Sequence, residues 1–214
     1  MVRFAKIFEM RPIILFLVLA GIGIITWLIV ARPDKKAPET KQQAIAVSKH
    51  SEAFNNTVTA ALNDYYIMTE AFVKWDSTEV NKRAAQLQTR LNSLQLDDLK
   101  KDSAGIYETA IGFTDNAKND VQTISTEPGF RQKREALNSL SENLYYFLNT
   151  VKYDKEKLYF QQCPMAFDDT KPGTWISQKE EIRNPYLGLK DPQYGKGMLH
   201  CGETKQVINH TGTE

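Results

Sequence analysis

The chain has 214 residues, with 27 Lys and Arg against 26 Asp and Glu, a net charge of +1. That balance, without any long basic run, gives no polyanion-steering surface and speaks against nucleic acid as a partner. Two cysteines and 42% apolar residues exclude a multi-disulfide scaffold and leave enough apolar side chains for a true core.

A short tail, residues 1–11, precedes an apolar stretch. Residues 13–31 carry no charge, and Thr26 is their only clearly polar side chain. As a helix they would span about 28 Å, close to the hydrocarbon thickness of a bilayer. A cleaved signal peptide has a shorter apolar region and small residues at its end, whereas here Trp27, Leu28, Ile29 and Val30 continue the run. Arg11, Trp27 and Arg32 suit the interface. The expectation is a transmembrane anchor at 12–31. Arg3, Lys6 and Arg11 before it are balanced by Arg32, Lys35, Lys36 and Lys41 after it, so the positive-inside rule does not set the orientation. A large C-terminal part suits an exported domain. Residues 32–40, with Pro33, Pro38 and mixed charges, read as a polar tether.

From 41 to 154 the apolar period is helical. Phe54, Val58, Leu62, Tyr65, Met68 and Phe72 mark a first helix. Asp76 and Glu79 form a capping-box signal before a second, with Val80, Ala84, Leu87, Leu91 and Leu94. A third is expected over 97–125, through Leu99, Ile106, Ala110, Phe113, Ala117, Val121 and Ile124, ended by Glu127-Pro128-Gly129. Phe130, Leu137, Leu140, Leu144, Phe147 and Val151 mark a fourth. Four amphipathic helices with short connections predict an antiparallel four-helix bundle, and the stripes imply that it folds without the tail. Tyr65, Tyr66, Tyr107, Tyr145 and Tyr146 are read as core or partly buried. His50 and His210 are read as solvated. The helices lack the Glu-x-x-His pattern of a di-iron site.

Beyond Asp154 the pattern becomes strand-like and rich in Pro and Gly. Extended pieces are expected at 157–163 and 174–177, with a third at 197–201 and 205–208 interrupted by a turn. A small loop/β C-terminal lobe at 155–208, packed on the bundle because it has little core of its own, and a tail at 209–214 complete a mainly α fold. Trp175 reads as a core residue of this lobe, and Asn184-Pro185-Tyr186 as a turn.

Two clusters in the lobe carry chemistry: Cys163-Pro164-Met165-Ala166-Phe167 and Met198-Leu199-His200-Cys201-Gly202. Thiolate and thioether are soft ligands that together suit Cu(I), and His200 offers an imidazole in place of one thioether. Zinc is less well served, because thioethers are poor zinc ligands. The same two cysteines suit one structural disulfide in an oxidising compartment, closing a loop worth roughly 3–4 kcal/mol. Both readings stand at this point. No nucleophile elbow, phosphate-binding glycine loop or zinc-protease helix is present, so the chain reads as a non-enzyme.

The order Cys163-Pro164-Met165-Ala166, Trp175-Ile176-Ser177, Asn184-Pro185-Tyr186-Leu187-Gly188 and Met198-Leu199-His200-Cys201-Gly202 resembles domain-of-unknown-function family 3347. The architecture of that resemblance extends over roughly 48–207, while its specific motifs fall between Cys163 and Glu203. Members of the family stand alone as exported proteins or are fused to periplasmic adaptors of heavy-metal efflux pumps. The resemblance implies a single-pass inner-membrane protein with its C-terminal domain in the periplasm. It also implies copper or a related metal, an efflux adaptor or pump as partner, and Cys163, Met165, Met198 and Cys201 as the metal residues. His200 lies within the second motif without being part of the family pattern. Asp191-Pro192-Gln193-Tyr194 is extra relative to shorter members.

Overall fold

A computed structural model of the protein describes residues 49–101, 105–167 and 170–212. The expected anchor at 12–31 and tether at 32–40 lie outside the described residues. Among the described residues no helix is long and apolar enough to cross a membrane.

Four helices come first. Helix α1, Glu52–Val73, is capped by Ser51, whose hydroxyl accepts from the Phe54 N–H at 3.2 Å. Helix α2 is Ser77–Asn92, α3 is Ile106–Thr126 and α4 is Phe130–Val151. Consecutive helices pack on one another, and the short connections 74–76 and 127–129 reverse the chain. The apolar positions read from the sequence supply the core: Phe54, Leu62, Tyr65, Phe72, Leu87, Val121, Leu137 and Phe147 are all buried.

Several local expectations are corrected. The third helix does not start at 97. Leu96–Lys101 form a 3-10 turn that buries Leu99, and α3 begins only after Gly105, whose φ of +70° breaks the helical path. Only half of the capping box is made. Asp76 accepts from the Glu79 N–H at 3.0 Å. Glu79 turns away to pair with Arg83 at 2.6 Å, and the Asp76 N–H donates to the Ala71 carbonyl instead. His50 is not solvated: its Nε2 donates to the Val151 carbonyl at 2.7 Å and its ring lies 4.5 Å from that of Phe54. His210 is also partly buried, with Nε2 3.3 Å from Asn149 Oδ1. Tyr146 is 52% exposed, whereas Tyr65 is fully buried.

After α4 come strands β1, Leu158–Phe167; β2, Lys171–Ser177; and β3, Glu203–Ile208. They form an antiparallel sheet in the order β2-β1-β3. β1 runs past the expected end at 163, through Pro164, because its pairing with β2 slips between Cys163 and Phe167. Such an irregularity is where a sheet tolerates proline. Residues 197–201 are not extended. Residues 197–200 are a run of turns, closed by the Cys201 N–H donating to the Met198 carbonyl at 3.0 Å.

The sheet docks on the helices through β2. Two N–H groups of β2 that do not pair with β1 are taken by helix side chains. Asn138 Oδ1 on α4 accepts from Thr174 N at 2.7 Å, and the Tyr65 hydroxyl on α1 accepts from Ile176 N at 3.0 Å. This closes an edge that would otherwise be open to another strand. Tyr65 also meets the Ser141 hydroxyl at 2.7 Å, and Ser141 donates to the Leu137 carbonyl. Leu158, Cys163, Trp175, Ile176 and Tyr186 join the helix residues in one continuous apolar cluster. The lobe therefore shares the bundle's core, as a small segment with little apolar material of its own must.

Candidate metal centre

Cys163 lies on the central strand with its side chain buried. Cys201 ends the turn run just ahead of β3 and is partly buried. The register that sets Gln162 opposite Glu203 carries Cys201 back alongside β1. The two Sγ atoms are 3.0 Å apart, and both residues are free thiols.

Two neighbours fix this approach. Gly202 has φ +143°, and a Cβ there would stand 2.8 Å from the Gln162 carbonyl and 3.0 Å from the Trp175 ring. Only glycine lets the chain turn so close to β1. Asn184 is fully buried. Its Oδ1 accepts from the N–H groups of Tyr186 and Leu187, and its Nδ2 donates to the Cys201 carbonyl at 3.0 Å. The Asn-Pro-Tyr segment is thus the expected turn, and it also positions the second cysteine. The sequence signal for that extra role is only an asparagine in a turn, which ordinarily bonds its own backbone.

Burial pushes the Cys163 thiol up to about 12, and its hydrogen bond with Cys201 adds to the effect; the Met165 backbone and the Asn184 side chain partly offset it. At neutral pH Cys163 is a thiol, so it is not a reactive nucleophile. A soft metal must displace its proton to bind.

The other sequence candidates are arranged differently. Met165 is partly buried and lines a separate cavity with Arg134 and Tyr194. Met198 is partly buried against the common core. His200 is exposed, and its Nδ1 donates to the Ile182 carbonyl at 2.8 Å, which leaves Nε2 as the basic nitrogen. The pair the structure brings into contact is Cys163 and Cys201. Among the described residues no three or more His, Cys, Asp and Glu side chains are grouped to hold a metal ion. The available donor set is therefore sulfur, which fits a soft monovalent ion of low coordination number.

Residues 61–156 match the family described as "Protein of unknown function (DUF3347)". That segment, somewhat less than half of the chain, is similar to the DUF3347 family. The DUF3347 match runs from within α1 to just beyond α4 and ends short of Cys163. The Cys, Met, Trp and Asn-Pro-Tyr motifs of the lobe lie outside it, so the family match speaks for the bundle and is silent on the sulfur pair. Neither a curated protein nor a solved structure matches the chain.

Proposed function

We propose that this protein is a non-catalytic binder of a soft metal, Cu(I) first, at Cys163 and Cys201, serving metal homeostasis or efflux at a membrane. The observation that carries this reading is the contact of two free thiols at 3.0 Å across β1 and the turn before β3. Loading replaces the proton of each coordinating thiol by the metal. A bound ion then draws on a nearby thioether, Met198 before Met165, or on His200 Nε2 for a third donor. In this reading residues 12–31 anchor the protein in the inner membrane, with the domain in the periplasm beside an efflux adaptor or pump.

Titration of the reduced protein against a competing Cu(I) chelator tests the site. One equivalent should bind, and Cys163→Ser with Cys201→Ser should abolish uptake. Full affinity in the double variant would sink the proposal.

The same proximity favours a second reading, a structural module whose lobe is locked by a Cys163–Cys201 disulfide. Thiol counting on protein purified without reductant separates the two. Two titratable thiols per unfolded chain support the metal reading; none supports the lock.

A further inference from the structure

Among the described residues, Arg134 is a charge whose surroundings call for explanation. It lies on the first turns of α4 and is only 7% exposed. Its guanidinium carbon sits 3.9 Å from the Trp75 ring centroid and 4.4 Å from that of Phe130, so aromatic faces replace water around it. Nε makes one long hydrogen bond, 3.4 Å, to the Pro185 carbonyl. Nη2 is buried with no partner at all. Burial holds its pKa down at about 10, with Asp191 pulling the other way. An unmet donor on a buried cation costs more than an ordinary missing hydrogen bond.

The same side chain lines a cavity of about 280 Å³ between α4, the end of β1 and the loop that carries Asp191. Met165, Phe167, Leu187 and Pro192 give that cavity apolar walls. Asp191 stands in the lining with Oδ1 committed to the N–H groups of Gln193 and Tyr194. The space is at the small end for a ligand site, enough for a molecule of roughly ten heavy atoms. The Arg134 guanidinium at one side, with Met165 and Phe167 beside it and Arg131, Gln193 and Tyr194 adding polar lining, suits a carboxylate on a compact apolar body.

We propose that this cavity binds a small organic monocarboxylate, its carboxylate on the Arg134 guanidinium and its apolar part against Met165 and Phe167. The site is independent of the sulfur pair. Asp191 sets its selectivity: its negative charge opposes an anion, so only a ligand that reaches the guanidinium directly is retained.

Calorimetric titration of the full chain with benzoate and with benzamide, a neutral molecule of the same shape, tests this. Benzoate should bind at least about tenfold more tightly, the discrimination expected when a charged donor pairs with the ligand. Arg134→Lys keeps the charge but loses the planar guanidinium held between the Trp75 and Phe130 rings, and should weaken benzoate by a similar factor. Asp191→Asn keeps the oxygen that holds the turn and removes the opposing charge, so it should bind benzoate more tightly than the parent. Equal binding of benzoate and benzamide by the parent overturns the proposal. So does unchanged benzoate affinity in a folded Arg134→Lys protein, or Asp191→Asn binding no more tightly than the parent.

Discussion

At the residue scale, the Tyr65 hydroxyl ties three segments together. It meets Ser141 on α4 and accepts from Ile176 on β2 while fully buried. Tyr65→Phe leaves the Ile176 N–H without an acceptor inside the core, and should cost about 1–3 kcal/mol in urea unfolding. A loss near zero would mean that the N–H finds another partner. Cys163 and Tyr65 also predict a pH dependence. Both acids are pushed up to about 12 by burial, so in the folded state they keep protons that the unfolded chain releases at lower pH. Stability of the reduced protein should therefore hold below the ordinary thiol range and fall as pH rises from about 9 toward 12, at up to about 1.4 kcal/mol per unit for each group. Cys163→Ser should delay the onset toward pH 10, where Tyr65 begins to act. Chemical denaturation across that range checks the sign. The two cysteines are legible as partners because they are the chain's only pair and flank one lobe. Arg134 is not, since a lone arginine on a helix gives no sign that its head is boxed between two rings.

At the element scale, the end of α3 is finished by a residue of α4. The Lys133 ammonium, 1% exposed, donates to the Ile124 carbonyl at 2.5 Å and to Asn81 Oδ1 at 2.6 Å. A cation at a helix C-terminus satisfies an orphan carbonyl and complements the helix dipole. Lys133→Met removes both bonds and should destabilise by about 1–3 kcal/mol, read as a lower melting temperature with unchanged helix content. A melting temperature equal to the parent's would show that this cap contributes nothing. The helices are readable because each buries a stripe at helical period, and the Glu127-Pro128-Gly129 break falls where expected. The start of α3 escapes the sequence because Leu99 continues the period while Gly105 interrupts the backbone, and period alone does not register a left-handed φ. The turn run at 197–200, closed by Cys201, escapes it for a related reason. Met, Leu and Cys there look like a buried strand, but the segment is set by bonds to Asn184 and Lys196 rather than by sheet pairing.

At the scale of the whole molecule, helices and sheet share one apolar cluster. A chain ending near Asp154 would lose the cover supplied by Trp175, Ile176 and Tyr186, and should melt broadly and earlier than the full chain in circular dichroism. A sharp transition at the parent's temperature would show the bundle to be autonomous. The proposed anchor has its own test: the full chain should stay with membranes through a carbonate wash, and release of a soluble protein beginning near Arg32 would identify a cleaved leader instead. That the lobe leans on the bundle is legible from how few apolar residues it holds, but which side chains interdigitate is not, because the sequence presents helix and strand periods one after the other. The topology also fixes an order in time. The central strand acquires its β2 neighbour through a short hairpin, but its β3 neighbour only after some three dozen further residues. Local contacts form faster than distant ones, and synthesis proceeds from the N-terminus. During each round of biogenesis Cys163 thus exists before its companion arrives, and whichever reagent meets it in that interval, a metal donor or an oxidant, has first choice over the fate of the pair.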